Sequence, residues 1–452
     1  MRIIVVGCGK IGTTIVSNLA DEGNDVVAVD TQPQVIAEVT DLYDVMGLCG
    51  NGADSDILIE AGADKAELFV AVTDSDELNM LSCFLARGMG AKQTIARIRN
   101  PEYNDNSLIF LKQQLGLSSS VNPELITARE IYNIIRFPSA VNVETFTGRN
   151  IEMVELRLRE ESALNGVRLM DMRKLFDSKV LVCAVQRNEE IFIPDGTFEL
   201  KSGDKIGVTA APGELQKLMR NLGVLQKRAH SIMIIGASRI SYYLAKMLLA
   251  SGFEVKIIDH DREACTKFSD LLPGVVMICG DGTSQEVLLE EGINSTDAFV
   301  SLTGMDEENI LISIFAASHD VAKVIAKVNR QELASMAEKL GLECVVSPQR
   351  FVADVLSRYA RALKNSLGSN VETLYKIMDG KAEALEFKVQ PEFEYANVPL
   401  KEMTFKRNIL IAGITRGRKT IIPTGDDVIQ AGDRVIVLAA GHMLNDLSDI
   451  VQ

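Results

Sequence analysis

Short, continuously apolar runs alternate with stretches of helical period along much of this chain. Arg2–Val6 reads Arg-Ile-Ile-Val-Val and ends at a glycine, the pattern of a strand buried on both faces. Beyond Gly7-Cys8-Gly9-Lys10-Ile11-Gly12, apolar residues recur at Ile15, Val16, Leu19 and Ala20, which is helical spacing. Further strands are predicted near residues 25–29, 45–49, 68–72, 94–98 and 119–121, with helical stretches such as Asp76–Met89 between them. Strand and helix in alternation predict an α/β fold, a Rossmann-like parallel sheet with helices on both faces.

The pattern then changes. Pro123 opens a helical stretch through Ile126, Ile131, Ile134 and Ile135 towards Phe137-Pro138, and Pro348 opens another with Phe351, Val355, Tyr359 and Leu363 on one face. Proline suits a first helical turn. Each stretch follows a sheet that is already complete, so its apolar stripe is read as a crossover onto another domain rather than as packing on its own. Short strands come next, as at Val180–Val185 and Ile409–Ile414, broken by Gly/Asp/Pro turns. These are small α+β units of roughly 80 residues, a size at which a lone core is thin, so they are expected to pair with another domain or subunit.

Both patterns occur twice. Gly236-Ala237-Ser238-Arg239-Ile240-Ser241 follows the strand Ser231–Ile235, and Glu254–Ile258 ends in Asp259; Gly236 and Asp259 lie 229 residues after Gly7 and Asp30. Leu48-Cys49-Gly50-Asn51-Gly52 matches Ile278-Cys279-Gly280-Asp281-Gly282 at an offset of 230, as Ile95-Ala96-Arg97 matches Ile325-Ala326-Lys327. In the small units, Gly203-Asp204-Lys205-Ile206 matches Gly432-Asp433-Arg434-Val435. This is duplication of whole domains. The expected division is 1–122, 123–225, 229–347 and 348–452, with Gln226-Lys227-Arg228 in the linker between halves.

Strand, G-x-G-x-x-G and helix in that order form the dinucleotide-binding arrangement. Gly7 makes the tight turn, Gly9 lets a pyrophosphate approach the backbone, and Gly12 lets the helix pack on the strand. The helix start offers unpaired N–H groups and a positive dipole end. Asp30, at the end of the second strand, stands where a ribose-binding acid belongs, and an acid there favours NAD-type over NADP-type ligands. Lys10 reaches either a phosphate or solvent. Thr73-Asp74-Ser75-Asp76-Glu77 reads as a helix cap, as a ligand contact at the carboxyl ends of the strands, or as both. Arg97 balances either a phosphate or a protein carboxylate. Asp306-Glu307-Glu308 repeats the acids, but acids at a helix start are more often simply solvated than metal-binding, and no metal is expected.

Composition narrows the classes. The 452 residues carry a net charge of −15, which argues against a nucleic-acid partner. No apolar run reaches the length of a membrane-spanning helix, and no secretory leader is read at the N-terminus. Seven scattered cysteines without a C-x-x-C read as reduced residues of a cytoplasmic protein.

Taken with the order of units, Gly7–Gly12, Asp30, Thr73–Glu77, Ile95–Arg99, Gly236, Asp259, Gly280-Asp281 and Thr303 make the chain resemble the TrkA family of Trk-system potassium-uptake regulators. That family carries two tandem regulator-of-potassium-conductance (RCK) units, each a Rossmann half followed by a small C-terminal half. The resemblance implies a non-enzymatic, nucleotide-responsive regulator. It would bind NAD or NADH, with ATP and ADP as further ligands. It would form a homo-oligomeric ring, expected to be a tetramer, and lie at the cytoplasmic face of the membrane, held by a membrane potassium-translocating Trk subunit rather than by insertion. The first site would comprise Gly7, Cys8, Gly9, Lys10, Ile11, Gly12, Asp30, Thr31, Gly50, Asn51, Thr73, Asp74 and Arg97. The second would comprise Gly236, Ala237, Ser238, Arg239, Ile240, Asp259, Gly280, Asp281, Thr303 and Lys327. The second loop departs from the family pattern: Ser238 and Ser241 replace the equivalents of Gly9 and Gly12, so this site is either altered in preference or vestigial. The competing class is an NAD-dependent dehydrogenase, which the glycine loop fits equally well; no catalytic proton donor beside a substrate pocket is evident in the sequence.

Overall fold

The computed structural model describes residues 1–100, 103, 105–136, 140–146, 151–188, 190–222, 230–365, 371–378, 380–417, 419–442, 444 and 446–451. Phe137-Pro138 and Gln226-Lys227-Arg228 lie outside the described residues.

The first sheet is built from β1 (Arg2–Val6), β2 (Asp25–Asp30), β3 (Met46–Cys49), β4 (Leu68–Ala71), β5 (Thr94–Arg97) and β6 (Ser119–Val121). Between them run α1 (Lys10–Asp21), α2 (Pro33–Leu42), α3 (Ser55–Glu60), α4 (Asp76–Met89) and α5 (Asp105–Leu115). The strands are parallel in the order β3-β2-β1-β4-β5-β6. The order reverses between β1 and β4, and in open α/β sheets ligands bind in the crevice at such a switch point. Gly7 follows β1 there, and Thr73 lies just beyond β4.

Next come α6 (Pro123–Arg136), β7 (Ala140–Thr145), β8 (Glu152–Arg157), α7 (Leu169–Phe176), β9 (Val180–Arg187), β10 (Glu190–Phe192), β11 (Lys205–Ala210) and α8 (Pro212–Asn221). These five strands form an antiparallel sheet in the order β10-β9-β11-β8-β7.

The second half repeats the plan. Strands β12 (Ser231–Ile235), β13 (Glu254–Asp259), β14 (Val275–Cys279), β15 (Ala298–Ser301), β16 (Lys323–Lys327) and β17 (Cys344–Val346) alternate with α9 (Arg239–Ala250), α10 (Arg262–Leu271), α11 (Gln285–Glu290), α12 (Asp306–Ser318) and α13 (Gln331–Lys339). Their parallel order is β14-β13-β12-β15-β16-β17. After α14 (Pro348–Asn365), strands β18 (Val371–Ile377), β19 (Ala382–Lys388), β20 (Ile409–Arg416), β21 (Lys419–Ile421) and β22 (Arg434–Ala439) pair as β18-β19-β22-β20-β21, the first small sheet's order again.

The two long helices exchange places. Ala128, Ile131, Ile134 and Ile135 of α6 are buried in one core with Ile232, Ile234, Leu244 and Leu248 of the second half. Val352, Ala353, Leu356 and Ala360 of α14 are buried with Ile3, Val5, Ile15 and Leu19 of the first. Polar contacts follow the exchange: Arg361 pairs with Glu22 at 2.9 Å, and the Tyr132 and Ser251 hydroxyls lie 2.6 Å apart. The small sheets also share a core, in which Phe146, Met153 and Cys183 pack with Tyr375, Ile377 and Leu438. At that seam Glu155 pairs with Lys205 at 2.8 Å and accepts the Met378 N–H at 2.9 Å, so its buried charge is matched. Among the described residues no helix is long and apolar enough to cross a membrane.

Candidate functional site

The first loop is held by Asp30. Its Oδ2 accepts the Cys8 N–H at 2.7 Å and its Oδ1 accepts the Gln32 N–H at 2.9 Å, while the Gly7 N–H donates to the Val29 carbonyl at 2.8 Å. A carboxylate has about four acceptor positions, so two protein bonds leave capacity for ligand hydroxyls. Gly7 has φ +90°, and a Cβ there would lie 2.8 Å from the Thr73 nitrogen. A Cβ at Gly12 would lie 1.8 Å from the Gly7 carbonyl oxygen, so helix and turn touch backbone to backbone. Gly9 differs: a Cβ there would meet nothing within 4 Å, which leaves its face of the loop open. Gly9 is the N-cap of α1 and gives it no side-chain acceptor, so the helix start keeps the unpaired donors that an anion would take.

The other candidates of this half divide by task. Gly9, Lys10, Thr31, Asn51 and Asp74 are exposed around the crevice, whereas Ile11 packs against the core beneath α1. Burial and the Asp30 charge push the Cys8 thiol up to about 12, so only its backbone offers chemistry near neutral pH. Asn51 Oδ1 accepts the Ala53 N–H at 3.0 Å and makes a local turn, and a Cβ at Gly50 would meet Ile57 at 2.5 Å. Arg97 is buried; it donates to the Val72 carbonyl at 3.3 Å and pairs with Asp74 at 3.0 Å. The protein-carboxylate alternative for Arg97 is therefore the arrangement present, with its pKa lowered chiefly by desolvation. Within Thr73–Glu77, Ser75 is the N-cap of α4, its hydroxyl accepting the Leu78 N–H at 3.1 Å.

In the second half the framework repeats but the loop chemistry changes. Asp259 accepts the Ala237 N–H at 2.6 Å and the Asp261 N–H at 2.8 Å, as Asp30 does for its own loop. Ser238 caps α9 by accepting the Ser241 N–H at 3.2 Å, and the Ser241 hydroxyl donates to the Gly236 carbonyl at 2.5 Å. The second loop thus satisfies itself where the first leaves donors unused. Ser241 carries a Cβ at the place where Gly12 has no room for one, so the second turn is wider. Ile240 is buried core, and Arg239 is exposed at the helix start. Asp281 caps its own turn through Thr283, and Gly280 lies against Val287. Thr303 donates its N–H to Asn309 Oδ1 at 2.9 Å. Lys327 turns inward and donates to the Thr303 carbonyl at 2.6 Å; burial is the main cause of its lowered pKa, and the like charge of nearby Lys10 adds to it. Asp306 accepts the Asn329 and Arg330 N–H groups at 3.0 Å each, and Glu307 pairs with Arg330. Among the described residues no acidic, His or Cys cluster is arranged to hold a metal.

One pair, Asn79 and Asn309, escapes the sequence reading, and so do the partners of a second pair, Asp76 and Asp306, which that reading names as helix-start acids. Buried Asn79 accepts the Thr73 N–H at 2.7 Å and donates to the Arg97 carbonyl at 3.0 Å, tying the ends of β4 and β5 together. Asn309 does the same between Thr303 and Lys327. Asp76 accepts the Arg99 and Asn100 N–H groups at 2.8 Å each, matching Asp306. Their signal is recurrence at an offset of 230, Asn79 with Asn309 and Asp76 with Asp306, at inward-facing positions of two equivalent helices.

The first loop opens into a cleft of about 870 Å³ that both halves line: Gly9, Lys10 and Thr13 on one side, Arg330, Gln349 and Arg350 on the other. The TrkA-N domain matches residues 3–123 and 232–348, and the TrkA-C domain matches residues 153–223 and 384–452. The chain belongs to the TrkA family. The Trk system potassium uptake protein TrkA homolog of Archaeoglobus fulgidus is 32% identical over 450 residues, covering 100% of both chains. The Trk system potassium uptake protein TrkA of Vibrio alginolyticus is 28% identical over 443 residues, 97% of this chain and 95% of that one. Among solved structures, the GsuK RCK domain matches with a TM-score of 0.61 at 18% identity, over 97% of this chain and 92% of that one. The GsuK channel bound to NAD matches with a TM-score of 0.62 at 18% identity, over 97% of this chain and 77% of that one. At such identity the likeness is one of fold.

Proposed function

We propose that this TrkA-family chain is the nucleotide-binding regulatory subunit of a Trk potassium-uptake system, acting at the cytoplasmic face of the membrane through a potassium-translocating partner. The observation that carries the reading is the first loop: uncapped donors at the start of α1, an open face at Gly9, and the Asp30 carboxylate with acceptor capacity left. That set fits a dinucleotide. The loop N–H groups and the dipole of α1 would hold the pyrophosphate, and Asp30 would accept ribose hydroxyls. GsuK binds NAD and ADP, which supports extending the same ligand classes to this family member. The self-capped second loop supports a weaker or altered second site.

Regulation would follow from the shared cleft. A ligand shifts a conformational equilibrium only by binding one state better than the other. One bound at the first loop faces residues of the second half, so it senses how the halves sit and transmits that through α6 and α14 to the small domains. The test is calorimetry of the full chain with NAD, NADH, ATP and ADP, alongside Gly9→Val. Gly9 has an ordinary φ of −66° and open space beyond it, so valine fills the ligand approach without a protein clash. Submillimolar NADH binding that the variant loses is the expected outcome. A wild type that binds none of the four, or a variant that binds NADH unchanged, refutes the proposal.

A further inference from the structure

The cleft beside the first loop gathers positive charge from both halves. Lys10 stands exposed at its mouth, and the start of α14 presents Gln349 and Arg350. Arg330 also lines the cleft but is spent on Glu307 and Asp306. Arg350 is different: it is half-buried, and among the described residues its guanidinium has neither an ion pair nor a hydrogen bond. It also lies in the first turn of an 18-residue helix with no acid in that turn, where a cation opposes the helix dipole. Glu38 and Asp354 line the same cleft.

The duplicated half gives the comparison that decides what this charge is for. Counting from the prolines that open α6 and α14, Leu125 holds the place of Arg350. Leu125 lines a separate cavity of about 490 Å³ with the rings of Tyr242 and Tyr243, where Asn122 donates to the Tyr243 hydroxyl at 3.2 Å; the second loop, Gly236–Ser241, does not line it. The fold accepts a leucine at this position, so it does not demand the arginine. The half whose crossover helix carries leucine at this position does not bring it to the second loop's cavity, whereas Arg350, with no ion pair among the described residues, lines the cleft of the first loop.

We propose that Arg350, from the second half, contacts the terminal phosphates of a nucleoside triphosphate held on the first loop, so that the ligand bridges the two halves. This rests on the reading that the Gly9 loop binds nucleotide. A guanidinium suits phosphate oxygens through paired N–H donors. A nucleoside monophosphate ends at the loop and is indifferent to Arg350, so dependence on Arg350 grows with the length of the phosphate chain.

The experiment is calorimetry of the full chain with ATP, ADP and AMP, comparing wild type, Gly9→Val, Arg350→Gln and Arg350→Leu. Leucine is the residue the other half carries at this place, so that variant keeps a side chain the fold already tolerates. Both Arg350 variants are expected to weaken ATP about tenfold, the loss of one charge-assisted contact, and to change AMP less than about twofold. ATP affinity within twofold of wild type, or an equal loss of AMP, overturns the proposal. If Gly9→Val abolishes all binding while the Arg350 variants bind ATP normally, the bridge is wrong and the loop reading stands. If wild type binds no nucleotide, or Gly9→Val binds all three unchanged, the loop reading fails and the bridge falls with it.

Discussion

Asp30 is both a scaffold and a candidate ligand contact. Its two oxygens already hold the Cys8 and Gln32 N–H groups, and this pairing recurs at Asp259. Asp30→Ala should therefore weaken NADH by about 1.5–3 kcal/mol, the range for a hydrogen bond to a charged acceptor, and should also loosen the loop. Asp30→Asn separates the tasks. It retains one oxygen acceptor but loses the charge and one acceptor, so its NADH affinity should fall between wild type and alanine in calorimetry. An unchanged dissociation constant for Asp30→Ala would reduce the residue to a strand end. Glycine spacing and a strand-end acid are readable in sequence because each answers a local backbone demand. The role of Asn79 and the partners of Asp76 are not, because those contacts lie on β5 and in the turn behind it. Nor does Arg97 declare its partner: the sequence allows phosphate or carboxylate, and folding brings Asp74 to it at 3.0 Å.

At the scale of elements, the strands are legible to within a residue or two because continuous burial leaves an unbroken apolar run. The predicted strands near 68–72 and 94–98 are β4 (Leu68–Ala71) and β5 (Thr94–Arg97). The crossover helices are legible only in part. Periodicity gives their stripes and says that they leave their own sheets, but only the tertiary structure shows that each lands on the opposite Rossmann unit. This exchange makes a definite prediction. Ile131 is fully buried on the second half although it belongs to the first. Ile131→Ala should cost about 2–5 kcal/mol, the usual range for emptying a buried isoleucine site. The loss should appear as earlier melting or faster amide exchange of β12 and α9, not of β1 and α1. Earlier exchange confined to the first sheet would contradict the exchanged packing.

At the scale of the whole molecule, the exchanged helices and the shared small-sheet core make the two halves one interlocked body, yet matching apolar side chains face outward from both. On α4, Leu81 and Phe84 are 48% and 47% exposed; on α12, Leu311 is 68% exposed, at the position that repeats Leu81. Single exposed apolar residues are ordinary on a monomer. Recurrence at one helix position in both halves is not, since nothing in the interior constrains these positions. A face on the first Rossmann unit that meets the equivalent face on the second unit of another copy makes a head-to-tail contact, and such contacts close into rings when the rotation allows. The chain should therefore be a homo-oligomer in solution, and Leu81→Glu combined with Leu311→Glu should lower its mass towards one chain in light scattering. Because neither residue lines the first loop or either crossover helix, the double variant should stay folded and keep its NADH affinity. Pull-down of a Trk-type transporter in detergent should weaken with it, since a ring engages a symmetric membrane partner through several copies at once and loses that multivalency when it falls apart. A wild-type chain that runs as a monodisperse monomer, or a double variant of undiminished mass, would show that these faces serve something other than self-assembly.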